Sequence, residues 1–267
     1  MKVMRSMSYG SGHYAFGPGA MTPAVKMLLW TNVGVFLLTA LTPSLFLVIT
    51  HVFGLTPQLV LTRLWVWQPI TYMFLHGGVS HILFNMLVLW MFGVQLERIW
   101  GSRFFLRYYF ITGIGAGLAT IASGFLPFAF ADPTYTAVTI GASGAIYGLL
   151  MAFALYYPET PILMFFLFPV PAKYFVMIIG VIAFLSVPRS AGVAHIAHLG
   201  GLVVGYFYLK QVRGLSANRF RFSSAGIIRL GVMADIKYRY FKWKMGRLKK
   251  RFDVYPGRGD NRNDRIH

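Results

Sequence analysis

The chain of 267 residues has no cysteine, which excludes disulfides and thiolate metal ligands and leaves the redox compartment open. Acids are almost as scarce, with seven Asp and Glu against 25 Lys and Arg. Charged residues of both signs make up 12% of the sequence, about half of the roughly 25% usual in soluble domains, too few to cover a water-facing surface. Charge is missing from whole stretches: 27–62, 64–96, 108–131, 133–158, 174–188 and 190–209. What fills them is apolar, since 57% of all residues are hydrophobic and the mean hydropathy is +0.60. Crossing a hydrocarbon core of ~30 Å takes ~20 such residues. Most of the runs reach that length, and the short one, 174–188, is extended by the uncharged flank "PILMFFLFPVPA" before Lys173. The composition predicts an all-α polytopic membrane protein. The first run continues well past the roughly 7–15 apolar residues of a signal peptide and lacks an A-x-A site, so it reads as a span.

Six spans are expected, at about 25–50, 80–97, 104–127, 140–157, 162–186 and 191–209. Residues 1–24 form a Gly-, Ser- and Met-rich N-terminal segment, 25–210 the membrane domain, and 211–267 a basic tail. The segment between the first two spans is rich in Trp and Tyr, as at a membrane interface. The net charge of +18 invites a nucleic-acid reading, but 16 of the 25 basic residues lie in 210–267. A tail of that kind reads as a cytoplasmic, positive-inside segment, and no nucleic-acid partner is expected. Its pattern "IKYRYFKWKMGRLKKRF" suits a helix lying on anionic lipid, with topology anchoring as the plainer role and headgroup sensing or partner recruitment as alternatives. With six spans and a cytoplasmic tail, 23 basic residues fall on the inner side and two, Arg63 and Arg189, outside. That bias places both termini in the cytoplasm of a protein integral to a membrane.

Polar side chains at membrane depth are functional hypotheses by default. His81 and Asn85 belong to the second span, Ser143 to the fourth, and His195 and His198 to the sixth. At ~1.5 Å per residue from the inner helix ends, all fall ~17–24 Å up, in one layer of the outer half of the bilayer. Each has a bland reading. A serine among glycines is commonly a packing residue, a lone histidine commonly bonds a carbonyl, and a pair at i, i+4 can cross-link helices. Their coincidence in depth favours a site. A serine hydroxyl becomes a nucleophile when a histidine within hydrogen-bond reach takes its proton. A carboxylate usually orients that histidine, yet none of the seven acids lies at this depth. If Ser143 is catalytic, the device is a Ser–His dyad with some other group holding the ring, and Tyr147, one turn after Ser143, is placed to pack on it. The His81/Asn85 pair and the Ser143 backbone N–H supply donors for an oxyanion.

Three blocks carry a resemblance: "HGGVSHILFNM" (76–86), "GASGAIYG" (141–148) and "AHIAHLGGLVVG" (194–205). They resemble the signature blocks of the rhomboid intramembrane serine proteases. "RLWVWQPITYMFLH", "FGVQLERIWGSRFFLRYY" and "FPVPAKYF" extend the likeness over residues 25–210, and the last two look prokaryotic. The resemblance implies a six-transmembrane-helix rhomboid-like bundle that hydrolyses peptide bonds of transmembrane protein substrates, in a prokaryotic plasma (inner) membrane. It implies Ser143 as nucleophile, Gly141 as the start of G-x-S-G, His81 and Asn85 as oxyanion stabilisers and Tyr147 as the residue stacked on the catalytic histidine. No cofactor and no metal belong to the family.

Depth does not separate His195 from His198. Helical faces do: His198 shares its stripe with Ala194, Gly201 and Gly205, against which the fourth span is expected to offer Gly141, Ala145 and Gly148. The family's His before "LGG" is the same residue, so His198 is the expected base and His195 a polar neighbour. His76 lines a route for water or supports its loop, with no catalytic role. Hydrolysis demands a hydrated cavity open to the outer face, and substrates with weak helix formers near the outer end of a transmembrane helix. Two alternatives stand beside this reading. One is a catalytically silent relative that binds transmembrane clients; the other is a metal-binding or transport protein using His76, His81, His195 and His198.

Overall fold

Three Thr-Pro pairs decide where the first helices begin. In the computed structural model, which describes residues 18–125, 135–164, 167–187 and 193–220, α1 (Pro23–Ala40), α2 (Pro43–Phe53) and α3 (Pro57–Arg63) each start on proline. Proline's missing N–H is one that a first turn leaves unpaired anyway. The preceding threonines, Thr22, Thr42 and Thr56, are extended, with ψ of 158°, 99° and 111°, because a following proline disfavours the helical region. The first expected span, 25–50, is therefore two helices broken at Thr42–Pro43. α4 (Gln68–Thr71) leads through a 3₁₀ turn at Tyr72–Phe74 to α5 (Val79–Trp100), which carries a π turn at Leu89–Gly93.

Gly101, at φ +73°, reverses the chain into α6 (Ser102–Ser123). α7 (Ser143–Tyr156) follows, then an antiparallel hairpin of β1 (Pro161–Met164) and β2 (Phe168–Pro171), α8 (Ala172–Ser186) and α9 (Val193–Phe220). The fifth expected span, 162–186, is helical only from Ala172. Prolines 161, 169 and 171 in its first half cannot serve a helix interior, and the stretch pairs as strands instead. The sixth helix runs past its expected end at 209 to Phe220.

α1, α5 and α6 are long and apolar enough to cross a membrane, and α7 and α8 are shorter apolar helices. Their outward faces are apolar too: Leu37, Leu38, Leu83, Phe84, Val181, Ile182, Phe184 and Leu185 are all exposed. A surface of that composition suits lipid and would be a liability in water. Inside, Tyr72, Phe105, Tyr108, Tyr109 and Phe153 are the bulkiest fully buried side chains, and α6 and α7 pack closely, Gly113 of α6 lying where a Cβ would stand 3.3 Å from that of Ala145. The chain divides into Met1–Gln211 and Val212–His267. The expected N-terminal segment before residue 18 and the basic tail beyond Phe220 lie outside the described residues.

One acid organises the end of the molecule where α1 starts. Glu97, on the last turns of α5, is 3% exposed. Its carboxylate accepts from the Thr22 hydroxyl, from the Ala24 and Val25 N–H groups at 2.9 Å each, and from the Ser102 hydroxyl at 2.6 Å. It thereby caps α1, whose threonine makes no side-chain cap of its own, and joins the starts of α1 and α6 to α5. An anion suits the positive end of a helix, and charge-assisted bonds are the strong ones. Glu97→Ala is expected to destabilise the fold by about 3 kcal/mol, since it leaves several buried donors unmet. Thermal or denaturant unfolding of the detergent-solubilised protein measures this; a change within experimental error would refute the organising role.

Candidate active site

α7 begins on Ser143 itself, two residues after Gly141. The loop before it is tied down by backbone bonds. Leu55 and Thr139 exchange N–H···O bonds of 2.9 and 2.8 Å, and the Gly141 N–H donates to the Tyr72 carbonyl at 2.9 Å. Tyr72 is fixed in turn by its hydroxyl, which donates to the Gly113 carbonyl at 2.7 Å. Gly141 sits at φ +120°, a conformation that L side chains rarely adopt, and a Cβ there would lie 2.6 Å from His81 Nε2. The glycine thus answers two needs, a turn into the helix and room for an imidazole.

Because α7 starts at Ser143, the N–H groups of Ser143 and Gly144 belong to the first turn, whose donors have no intrahelical partners. The side chain of Ser143 is half-buried. His198 on α9 reaches it across 55 positions of sequence: Nε2 and Oγ are 2.8 Å apart. The Tyr147 ring lies flat on the His198 ring, with centroids 4.2 Å apart and planes inclined by 3°. His195 meets His198 edge-on at 5.9 Å. The helical-face argument thus selected the histidine that approaches the serine, and His195 lies beside it.

Glycines make that approach possible, though not the set expected on α7. A Cβ on Gly201 would run into the Gly144 carbonyl oxygen, and one on Gly205 would lie 3.2 Å from the Gly148 Cα and 2.5 Å from the Tyr108 hydroxyl. A Cβ on Gly144 would lie 2.6 Å from that of Ala116 and 3.6 Å from the Ala197 carbonyl. The face of α7 toward α9 is therefore Gly144 and Gly148. Ala145 looks toward α6, and Gly141 precedes the helix. Of the expected set Gly148 stands, Gly141 drops out because the helix starts at Ser143 rather than at 140, and Gly144 takes the place of Ala145.

His81 and Asn85 come from the first two turns of α5. The Gly77 N–H donates to His81 Nδ1 at 3.4 Å. A neutral imidazole that accepts at Nδ1 carries its proton on Nε2, the nitrogen beside Gly141, so a donor faces the serine loop. Asn85 is buried and gives one amide hydrogen to the His81 carbonyl at 2.8 Å, keeping a second to offer. His76 is fully buried and edge-on to His81, with centroids 4.9 Å apart. Sequence reasoning left unassigned both Tyr72, which anchors the Gly141 loop, and Gly77, which sets the His81 tautomer. The "WQPITYMFLH" stretch is a signal for Tyr72 only by its likeness to relatives, because its contacts lie on α6, in the Gly141 loop and on α7, far from it in sequence.

A Rhomboid domain family model matches residues 63–213, more than half of the chain. The chain belongs to the rhomboid family. Among its relatives, the rhomboid protease GluP of Bacillus subtilis is 34% identical over 141 residues, 53% of this chain and 25% of that protein. The rhomboid protease AarA of Providencia stuartii is 34% identical over 160 residues, 55% of this chain and 56% of that one. Rhomboid protein 1, mitochondrial, of Saccharomyces cerevisiae is 32% identical over 142 residues, 51% of this chain and 38% of that protein. The matches therefore span between a quarter and just over half of these rhomboids' own length.

The α7–α9 contact yields a test of this rhomboid site. A methyl group at Gly201 has no room without moving one helix, and overpacking of that kind costs about 1–3 kcal/mol. Gly201→Ala is expected to lower the unfolding midpoint and to remove labelling of Ser143 by a fluorophosphonate. Labelling at the unchanged rate would mean that close packing does not govern the serine–histidine distance.

Proposed function

We propose that this rhomboid is an intramembrane serine endopeptidase working through a Ser143–His198 dyad. The observation that carries the reading is the 2.8 Å contact between Ser143 Oγ and His198 Nε2 beneath the stacked Tyr147 ring. As the hydroxyl oxygen attacks a peptide carbonyl carbon, its proton passes to Nε2. The same proton then goes to the leaving amine as the C–N bond breaks, and water releases the acyl group from Ser143 by the reverse roles. The carbonyl oxygen turns anionic at the tetrahedral stage. The Ser143 N–H at the start of α7, the His81 Nε2–H and the free Asn85 amide hydrogen are the donors offered to it, aided by the positive end of the helix. Tyr147 does the work that a carboxylate does in a triad, holding the ring by stacking. His195 is given no step.

In the same proposal α1, α5, α6, α7, α8 and α9 are the six crossing helices of a membrane domain at 25–210, with 1–24 and the basic tail 211–267 in the cytoplasm and the tail against anionic lipid. The substrates are transmembrane proteins, cut where weak helix formers near the outer end of a helix let the backbone extend. The metal reading finds less support. The four histidines fall into two edge-on pairs, His76 with His81 and His195 with His198, and His198 is engaged by Ser143 and Tyr147. Among the described residues no three potential ligands gather.

Ser143→Ala and His198→Ala are each expected to reduce cleavage of a transmembrane substrate in proteoliposomes by roughly 10⁴-fold or more. His81→Ala or Asn85→Ala should cost ~10²–10³-fold, while His195→Ala should leave most of the activity. A fluorophosphonate should label the wild type and not Ser143→Ala. Absence of labelling and of cleavage in the wild type would establish the silent, client-binding alternative instead. For substrates, replacing Gly or Pro near the outer end of the cleaved helix by Ala or Leu should slow cleavage; unchanged rates would count against local unwinding.

A further inference from the structure

Every one of the eight strand positions in the β1–β2 hairpin is apolar: Pro161, Ile162, Leu163 and Met164 pair with Pro171, Val170, Pro169 and Phe168. A hairpin with one face in water normally alternates apolar and polar residues. Here Ile162 points inward and is buried, whereas Pro161, Leu163 and Pro169 on the opposite face are exposed, as are Leu167 and Phe168 at the turn. The hairpin does not hang loose, for the Ala172 N–H donates to the Thr160 carbonyl at 2.9 Å and the Lys173 N–H to the Pro158 carbonyl at 3.2 Å.

The backbone of the hairpin points the same way. In an antiparallel pair, alternate couples turn their N–H and C=O groups outward. Prolines cannot exchange paired bonds, so the outward-turned couples are Pro161 with Pro171 and Leu163 with Pro169. Of the four residues whose donors would face outward, three have no N–H, and Leu163 alone keeps one. An exposed strand edge is costly in a low-dielectric medium because of its unpaired groups. This edge has lost most of its donors, and the remaining carbonyls suit a boundary layer that still holds water.

Length supplies the location. The 15 residues of α8 span ~22 Å, short of the ~30 Å hydrocarbon core. The hairpin precedes its first turn, and strands of four residues reach ~13 Å. At its base Lys173 pairs with Glu159 at 2.6 Å and lies over the Tyr174 ring at 4.9 Å, the charged and aromatic pairing found at headgroup level. We propose that the β1–β2 hairpin is an interfacial membrane anchor. Its Pro161, Leu163 and Pro169 face lies against the boundary between headgroups and acyl chains on the side where α8 begins. The anchor holds the inner end of a helix too short to fix its own depth. This rests on the reading of α7 and α8 as membrane-crossing, and it is independent of the dyad.

The absence of cysteine makes the test direct. Single variants Leu163→Cys, Phe168→Cys, Glu159→Cys and Phe184→Cys of the full chain are labelled with a nitroxide and reconstituted in phosphatidylcholine–phosphatidylglycerol vesicles. Collision rates with oxygen, which concentrates in lipid, and with a water-soluble nickel chelate are then compared. The labels at 163 and 168 are expected to show an oxygen-to-nickel ratio several-fold above that at 159 and below that at 184 on the exposed face of α8. A ratio at both 163 and 168 equal to that at 159, with 184 reporting lipid, overturns the anchor alone. A water-facing label at 184 overturns the membrane-crossing reading on which it rests. Two labelled sites in the hairpin guard against local misfolding at either one.

Discussion

The contact on which the candidate site depends is that of two helices closer than side chains normally allow. α9 lays Gly201 and Gly205 against Gly144 and Gly148 of α7. In lipid there is no hydrophobic drive to press helices together, so close approach and the dispersion it brings must do that work. The arrangement also fixes a distance. His198 stands three positions before Gly201 and Ser143 one before Gly144, so the two candidate side chains lie next to that contact. A chemistry that needs atoms within about 3 Å is thereby set by residues that contribute no side chain at all.

That geometry explains how the proposed dyad dispenses with a third acidic member. A triad carboxylate orients its histidine and stabilises the imidazolium, but a carboxylate at this depth would need several donors to remain buried. Among the described residues the buried carboxylate is Glu97, where two backbone N–H groups and two hydroxyls meet it. At the site, orientation comes from Tyr147, whose planar contact with His198 restrains the ring without adding charge. His81 is oriented by yet another means, a backbone N–H from Gly77. Each imidazole is thus steered by an uncharged neighbour.

The polar residues of the site were legible in the sequence because lipid makes polarity rare. In chains with so few polar groups at depth, a serine, an asparagine and histidines at one level stand out. Spacing on α9 also separates His198, the histidine in contact with Ser143, from His195. What the sequence hid was where helices begin. The run 27–62 has no charge to mark the break at Thr42–Pro43, and "PILMFFLFPVPA" is as apolar in a hairpin as in a helix. Hydropathy measures compatibility with lipid, not backbone conformation, so the prolines were the better guide to both corrections. The stripe on α7 was right at Gly148 and wrong elsewhere: Gly141 lies before a helix that starts at Ser143, and Gly144 stands against α9 where Ala145, turned toward α6, was expected. The polar cap at Glu97 was missed for another reason, since its four donors come from two segments that no local pattern connects.

The start of α7 at Ser143 also ties fold to chemistry. Fourteen residues make a helix of ~21 Å, shorter than a ~30 Å hydrocarbon core, so in the proposed orientation its N-terminal end lies below the outer boundary. Irregular backbone at such depth is tolerated only where protein or water satisfies it. The approach to Ser143 meets that condition through protein: Thr139 pairs with Leu55, and Gly141 donates to Tyr72. The N–H groups of the first turn of α7 come immediately after and have no such helical partners. A shortened helix therefore brings unpaired donors, a half-buried hydroxyl and the positive end of a dipole to one point, which the proposed orientation sets inside the membrane. Filling the missing turn with regular helix would give a better span, and it would pair the donors that an oxyanion requires. On the proposed reading, the imperfection of α7 as a membrane helix is what lets its first residue serve as a nucleophile.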